Sequence, residues 1–237
     1  MSVSEVFNCD CMEYMKTLPT GYFDLAIVDP PYGINAPKMK MGTGYSNGKY
    51  TPKKLLNGGS GKLKNRILNT SDCTWDEEPP KKEYFDELFR ISKNQIIWGG
   101  NYFELPPTRC IVAWDKQQPW ENFSQVEIAW TSFDKPAKLF KQVNGGCTTE
   151  KKIHPTQKPI ELYKYLLSRF AHKGYRIFDS HLGSGSSRIA CWEYGLDFYG
   201  CEKNKKYFDD MEKRFSIVKA QGLLDFGEDQ PELFECI

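Results

Sequence analysis

Seven short apolar runs are spread along this sequence, and helical patterns separate several of them. The runs are VFNCD, FDLAIVD, NQIIWGG, RCIVAWD, VEIAWTSF, YRIFDS and DFYGCE. In KKEYFDELFRISK and PIELYKYLLSRFA, the apolar residues recur at the spacing of one helix face. Strands that alternate with helices predict an α/β fold: a doubly wound, mostly parallel seven-stranded sheet with helices on both faces.

The second run, in FDLAIVDPPYGI, ends on an acid, two prolines and an aromatic residue. Its continuous apolar stretch from Leu25 to Val28 is typical of a strand covered on both faces. The prolines end the strand because they cannot donate to its hydrogen-bond ladder. We therefore expect Asp29, Pro30, Pro31 and Tyr32 at the carboxyl edge of the sheet, where open α/β folds bind ligands. A Pro-Pro turn without a function is the alternative.

A glycine loop follows another strand in YRIFDSHLGSGSSRIACWEYG. Gly183 and Gly185 would let the backbone approach a ligand, and the helix that follows offers unpaired amides. Glu202 ends the next apolar run, and an acid about 20 residues past a glycine loop is the arrangement that binds ribose hydroxyls. Arg188 stands where the dinucleotide fingerprint has its third glycine, which disfavours a nicotinamide oxidoreductase. An ordinary strand-to-helix turn is the alternative here.

Length and composition favour a single domain over residues 1–237. The first residues contain no charged leader, and no apolar run approaches the length of a membrane span, so we expect a cytoplasmic protein with no membrane partner. The eight cysteines are scattered and predict reduced thiols. With three histidines and no C-x-x-C pair, no metal site is expected.

The net charge of +1 hides an uneven distribution. Residues 33–71 contain no acid and many glycines, and they lack a sustained hydrophobic period, which predicts a long mobile loop. Its bases suit phosphate groups: Lys38, Lys40, Lys49, Lys53, Lys54, Lys62, Lys64 and Arg66. A merely solvated insertion is the alternative. Residues 225–237 carry five acids and predict a solvated tail.

Four motifs occur in the order DPPY, IHPTQKP, DSHLGSGS and YGCEKN. Together they resemble the S-adenosylmethionine-dependent amino-methyltransferases of DNA, in the permuted, beta-type group whose catalytic motif precedes the cofactor motif. The resemblance extends from Phe7 to Phe215. It implies a site-specific enzyme, of the kind found in restriction–modification, that methylates the N6 amine of adenine in double-stranded DNA.

The resemblance also implies roles for individual residues. Asp29, Pro30, Pro31 and Tyr32 would be catalytic, and the basic residues of the insertion would contact DNA. The implied cofactor-binding residues are Asp10, Cys11, Asp29, Lys158, Asp179, His181, Gly183, Ser184, Gly185, Ser186, Glu202 and Lys203. Among them, Asp10 would accept from the adenine amine of the cofactor, Asp179 and the glycine loop would hold its methionine part, and Glu202 its ribose.

The chemistry of the reaction agrees with this interpretation. The exocyclic amine of adenine is a poor nucleophile because its lone pair is delocalised into the ring. The Asp29 carboxylate and the Pro30 carbonyl could each accept one N–H and direct the lone pair at the methyl group. Tyr32 would stack on a base rotated out of the duplex. Methylation of ring carbon 5 of cytosine would need a cysteine, typically in a Pro-Cys pair, and the sequence has none.

Two departures from the family pattern leave alternatives open. Ser180 and His181 stand where family members usually have proline and an aromatic residue, which bears on cofactor affinity. The region before HPTQKP is short, so sequence specificity would either be low or be carried by the basic loop from Lys38 to Arg66. The alternatives are an N4-cytosine methyltransferase, although that group more often has serine in place of Asp29, and a non-catalytic nucleic-acid-binding partner. RNA or protein amide methylation is less favoured, and a homodimer is left open.

Overall fold

The computed structural model describes residues 2–38, 43–46, 49–52, 73–117, 124–143 and 152–226. The strands are β1 Ser4–Phe7, β2 Phe23–Val28, β3 Thr43–Ser46, β4 Lys49–Pro52, β5 Ser92–Trp98, β6 Ile111–Asp115, β7 Val126–Thr131, β8 Lys138–Lys141, β9 Arg176–Asp179 and β10 Asp197–Cys201. The helices are α1 Cys11–Lys16, α2 Lys82–Ile91, α3 Ile160–Phe170, α4 Ser186–Glu193 and α5 Lys205–Phe226.

Eight of these strands form one sheet, in the order β1-β10-β9-β2-β5-β7-β6-β8. Strand β7 is antiparallel to both of its neighbours, and the other pairings are parallel. At the centre of the sheet, β2 pairs in parallel with β9 on one side and β5 on the other. The chain order reverses here, so the carboxyl ends of β2 and β9 border the crevice in which such folds bind ligands.

Both faces of the sheet are covered, as the uninterrupted apolar run of β2 predicts. Leu25 and Ile27 belong to a core cluster shared with α3, α4 and α5, whereas Ala26 and Val28 belong to a cluster shared with α1 and α2. The doubly wound α/β fold expected from the sequence is confirmed.

The structure differs from the sequence prediction in three elements. The sheet has eight strands rather than the seven predicted. The additional one is the short edge strand β8, whose sequence KLFK contains two lysines that obscure its apolar pattern. Residues 33–71 were expected to form no regular element, yet β3 and β4 pair as an antiparallel hairpin. These strands have only four residues each, too few for a period to be visible. The predicted acidic tail begins inside the helix, because α5 extends to Phe226.

Several predicted features lie outside the described residues. They are the DNA contacts Lys40, Lys53, Lys54, Lys62, Lys64 and Arg66, with most of the remaining insertion, and residues 227–237 of the acidic tail. Lys49 lies in β4. Within the described ranges, no helix is both long enough and apolar enough to cross a membrane.

Candidate active site

The carboxyl ends of β2, β5, β9 and β10 surround a cavity of about 1790 Å³. Asp29, Pro30, Pro31 and Tyr32 line it on one side, and His181, Gly183, Ser184 and Glu202 line it on another. Pockets for a single small molecule are usually about 300–1,000 Å³. This cavity therefore has room for a nucleoside cofactor and an extruded base together.

Asp29 receives two hydrogen bonds at the centre of the cavity. Lys158 Nζ donates to its Oδ2 at 2.5 Å, and the Tyr32 hydroxyl donates to its Oδ1 at 2.6 Å. Lys158 reaches Asp29 from the HPTQKP segment before α3, and its side chain is 4% exposed. A carboxylate has about four lone-pair sites, so Asp29 retains acceptor capacity for a further N–H group.

Glu127 of β7 is a further charged group at this site, and the sequence analysis missed it. It forms an ion pair with Lys116, and its Oε2 atom lies 3.2 Å from Lys158 Nζ. The Oε2 atom is buried, and the charge of Lys158 compensates for its burial. Two carboxylates and two ammonium groups thus neutralise one another at the wall of the cavity.

Burial and mutual attraction act in opposite directions on these groups. Burial raises the pKa of Asp29, and the Lys158 charge offsets only part of this effect. Burial would lower the pKa of Lys158, but the Asp29 and Glu127 carboxylates outweigh it, so this pKa lies above its ordinary value. Burial raises the pKa of Glu127 less than Lys158 and Lys116 lower it. Lys158 therefore stays charged between its two partners.

The ring of Tyr32 is fixed by close packing. It stacks on Tyr102 with ring centroids 5.0 Å apart and planes inclined by 14°. Gly99 lies against the ring so closely that a Cβ atom at this position would be 2.2 Å from Tyr32 Cε1. Tyr102 is 41% exposed, so one side of this aromatic pair is accessible from the cavity.

Asp179, the last residue of β9, supports the glycine loop that follows it. This carboxylate accepts from the His181 amide at 3.0 Å and from the Ser187 hydroxyl at 2.6 Å, and it is 1% exposed. Burial raises the pKa of Asp179 to about 7, although the bond from Ser187 lowers it. Gly185 caps α4 with a φ of +71°, where a Cβ atom would collide with Met211. Glycine is therefore required at this position by both backbone and packing.

Ser180 and His181, the two departures from the family pattern, form a buried polar chain. The Tyr84 hydroxyl lies 2.6 Å from Ser180 Oγ, which lies 2.8 Å from His181 Nδ1. Burial lowers the pKa of His181 to about 4, so the imidazole is neutral near pH 7. The two side chains thus fill their positions with satisfied hydrogen bonds and leave the loop intact.

The acids predicted to bind the cofactor nucleoside lie together at the far end of the cavity. Glu202 accepts from the Gly183 amide at 2.9 Å and from the Asn204 amide at 2.8 Å. Asp10 caps α1 and pairs with Lys203 at 2.9 Å. Burial raises the pKa of Glu202, and the bond from Lys203 lowers that of Asp10. Burial raises the pKa of the adjacent Cys11 thiol to about 12.

The structure brings most of the predicted site residues to one cavity, but not all of them. Asp179, Gly185 and Ser186 are buried behind the cavity wall, where they support the loop. Lys38 pairs with Glu77 at 2.9 Å, at the start of the basic insertion. His154, in the HPTQKP segment, also lines the cavity: its ring lies between those of Trp75 and Tyr207, with centroids 5.2 and 4.4 Å away.

A family model described as a DNA methylase matches residues 64–213, more than half of the chain. The chain belongs to this DNA methylase family. Among curated proteins, it is 26% identical to the type II methyltransferase M.HinfI of Haemophilus influenzae, over 92% of this chain and 69% of that one. It is also 26% identical to the type II methyltransferase M2.DpnII of Streptococcus pneumoniae, over 63% of this chain but only 51% of that protein.

Solved structures share the fold at low sequence identity. The complex of M1.HpyAVI with S-adenosylmethionine matches with a TM-score of 0.53 and 19% identity, covering 89% of this chain and 98% of that one. The cytosine-N4-specific PvuII DNA methyltransferase matches with a TM-score of 0.55 and 11% identity, covering 94% of each chain. These likenesses support the methyltransferase fold and do not distinguish between the two target bases.

The residues around the cavity fit S-adenosylmethionine. The cofactor carries a ribose diol, an adenine amine and a cationic sulfonium, all of which favour carboxylate acceptors. Glu202, Asp10 and Asp29 supply such acceptors in the same cavity. Gly183 contributes backbone without a side chain, with a φ of +49° beside the His154 ring. These acceptors support the expectation that the cofactor is S-adenosylmethionine.

Proposed function

We propose that the chain transfers a methyl group from S-adenosylmethionine to the exocyclic N6 amine of adenine in double-stranded DNA. The observation that carries this proposal is the partly buried Asp29 carboxylate, which Lys158 and Tyr32 hold in the cavity that Glu202 also lines. A carboxylate acceptor suits an amine that must lose a proton as it is methylated.

The residues of the chain have distinct tasks in this reaction. Asp29 and the Pro30 carbonyl accept the two N–H groups of the target amine, which directs its lone pair toward the methyl group. The cofactor would give up its methyl group to this nitrogen, and the electrons of the sulfur–carbon bond would remain on sulfur. The amine proton passes to Asp29, whose raised pKa makes it a better acceptor at this moment.

The cofactor supplies an electrophilic methyl group on its sulfonium sulfur. Glu202 would accept from the ribose hydroxyls and Asp10 from the adenine amine. The glycine loop that Asp179 supports would hold the methionine part. Lys158 balances the charges of Asp29 and Glu127 at the wall of the cavity.

The substrate face includes the Tyr32–Tyr102 pair. A base cannot be methylated at this amine inside a duplex, so the target adenine must rotate out and enter the cavity. One face of the base would stack on an aromatic ring, which is worth about 1–3 kcal/mol per base. The basic insertion supplies the charge for the DNA backbone.

We further propose a single domain over residues 1–237. Its cytoplasmic location and its oligomeric state stay predictions from the sequence.

The mechanism is tested with Asp29→Ala. Because one of two acceptors at the reacting amine is lost, we expect methyl transfer to fall at least about 100-fold, as at other positioned electrostatic sites. Binding of S-adenosylmethionine, measured by calorimetry, should be largely retained. Asp134→Ala removes an exposed carboxylate and serves as the control. Methyl transfer by Asp29→Ala at the parental rate would contradict the mechanism.

The target base is tested separately, by mass analysis of nucleosides after methylation of a duplex that contains every short sequence. We expect N6-methyladenine. N4-methylcytosine would leave the fold and the mechanism intact but would reassign the base. If parental protein binds S-adenosylmethionine and methylates neither base, the chain is a non-catalytic partner.

A further inference from the structure

One buried carboxylate, Asp76, accepts hydrogen bonds from main-chain amides at and after Tyr32. Its Oδ1 accepts from the amides of Tyr32 at 2.6 Å and Gly33 at 3.0 Å, and its Oδ2 accepts from the amide of Ala36 at 2.7 Å. The Asn35 amide donates to the Asp76 carbonyl at 2.9 Å. Asp76 is only 2% exposed. Four hydrogen bonds to one residue therefore fix residues 32–36.

The conformation of this segment requires an anion. Gly33 and Asn35 have φ values of +74° and +55°, and such winding turns neighbouring amides toward one point. A Cβ atom on Gly33 would lie 2.6 Å from Pro79 Cδ, so the turn is also tightly packed. Without the carboxylate, buried amides would be left without acceptors, at about 1–3 kcal/mol each. Asp76 is thus the group that makes this main-chain arrangement favourable.

The same hydrogen bonds hold the catalytic tyrosine at two points. The Tyr32 amide donates to Asp76, and its hydroxyl donates to Asp29. Asp76 reaches this turn from the far side of the basic insertion, where Glu77 pairs with Lys38 at 2.9 Å. The two ends of the basic insertion therefore lie next to each other, beside the catalytic turn.

We propose that Asp76 is a positioning residue for methyl transfer: its carboxylate fixes the Tyr32 main chain, and through it the acceptor geometry of Pro30 and Asp29. This inference rests on the proposed function. It separates catalysis from cofactor binding, because Asp76 bonds to the catalytic turn, whereas Glu202 and the glycine loop bond to one another. Loss of Asp76 should therefore impair turnover and placement of the base more than cofactor affinity.

Asp76→Asn is the most direct test, because the amide is isosteric but replaces one oxygen with a donor that faces an N–H group. We expect kcat at saturating substrates to fall at least about tenfold, equivalent to the loss of one charge-assisted hydrogen bond. The dissociation constant of S-adenosylmethionine should stay within about twofold of the parental value. With 2-aminopurine at the target position of a duplex that the parent methylates, the fluorescence increase on base extrusion should be reduced.

Asp86→Asn is the matched control. It makes the same chemical change on α2, where an exposed carboxylate pairs with Lys82. It should keep the parental kcat and fluorescence. A merely structural role for Asp76 would lower thermal stability and cofactor affinity together, with kcat per folded molecule unchanged, and would overturn the proposal.

A measurement on the parent keeps the proposal testable if Asp76→Asn does not fold. Hydrogen exchange should show protected amides at Tyr32, Gly33 and Ala36, and exchange at the rates of free peptide would overturn the proposal. Different results would contradict the positioning role of Asp76 and the proposed function. If the parent methylates DNA and Asp76→Asn matches it, only the positioning role is wrong, whereas a parent that methylates no DNA contradicts the proposed function itself.

Discussion

At the scale of single residues, the site depends on how two acids share one lysine. Asp29 and Glu127 both approach Lys158, and the charge of Glu127 affects the protonation of Asp29. The negative charge of Glu127 raises the pKa of Asp29, while Lys158 lowers it. Asp29 must be ionised to accept the amine, so the acid limb of the rate profile reports on this balance.

Glu127→Gln should shift that limb. The substitution removes a neighbouring negative charge, so the pKa of Asp29 falls and activity persists to lower pH than in the parent. The measurement is kcat against pH at saturating substrates. Glu161→Gln, at an exposed acid of α3 paired with Lys164, is the control that should keep the parental profile. An acid limb that stays in place, or moves to higher pH, would show that Glu127 does not act on Asp29.

Site residues that lie in a recognisable motif were predictable from the sequence, whereas Glu127 and Asp76, which lie outside the motifs, were not. Asp29, Pro30 and Tyr32 are contiguous and follow one apolar run, so the sequence predicts both their place and their chemistry. Glu127 comes from an antiparallel strand whose reversal no local pattern shows. Asp76 follows a long insertion, and its acceptor role depends on amides about 40 positions away or more.

At the scale of elements, turns after strands position the chemistry. The turn after β5 supports Tyr32 through Gly99, and the loop after β9 is supported by Asp179. The sequence predicted the long, apolar central strands because burial on both faces leaves a clear signal. It missed β8 and the β3–β4 hairpin because four residues are too few to show a period.

Gly99→Ala tests the packing of the first turn. Gly99 has a φ of +72°, and its new Cβ atom would lie 2.2 Å from the Tyr32 ring. Gly21→Ala is the matched control, because its φ is +66° and no heavy atom lies within 4 Å of the new Cβ. Both variants should lose about 1–2 kcal/mol of stability from left-handed backbone. Only Gly99→Ala should also lose at least about tenfold in methyl transfer per folded molecule. Equal activities would exclude this contact from catalysis.

The HPTQKP segment before α3 carries a testable pH dependence. Burial lowers the pKa of His154 from 6.5 to about 3. The unfolded chain therefore binds a proton as pH falls below 6.5, while the folded protein does so only near pH 3. The stabilising contribution is complete above pH 6.5 and is lost as pH falls, with a slope of up to about 1.4 kcal/mol per pH unit.

His154→Gln should reduce that slope between pH 6.5 and 4, in urea unfolding followed by circular dichroism. His172→Gln, at an exposed histidine, is the control. A parental slope in His154→Gln would mean that other groups account for the acid sensitivity of this protein.

At the scale of the whole molecule, the charged residues are distributed unevenly between the cavity and the insertion. The described cavity is nearly balanced, with carboxylates beside Lys158, Lys116 and Lys203. The interval between Asp29 and Asp72 contains eight basic residues and no acid. The sequence revealed this asymmetry directly, because charge needs no structural context. A chain with a net charge of only +1 thus concentrates basic residues directly after its proposed catalytic residues in the sequence.

Replacement of four lysines of the insertion should weaken DNA binding in a salt-dependent way. The variant changes Lys53, Lys54, Lys62 and Lys64 to glutamine. Each phosphate that a lysine neutralises contributes about 0.9 to the slope of log K against log salt, so the slope should flatten by about that amount for each phosphate no longer neutralised. The measurement is a salt titration of binding on a duplex that the parent methylates and on a scrambled one. Equal weakening on both indicates binding to the DNA backbone, and loss of preference between them indicates direct reading of base edges.

The control for this titration carries the same charge change elsewhere. It replaces four exposed lysines outside the insertion: Lys93, Lys141, Lys213 and Lys219. If the effect were only a matter of net charge, both quadruple variants would flatten the slope equally, because long-range attraction depends on total charge. We expect a large change from the insertion variant and a small one from the control. An unchanged slope and affinity in the insertion variant would exclude these four lysines from the DNA interface and leave recognition to the cavity and its rim.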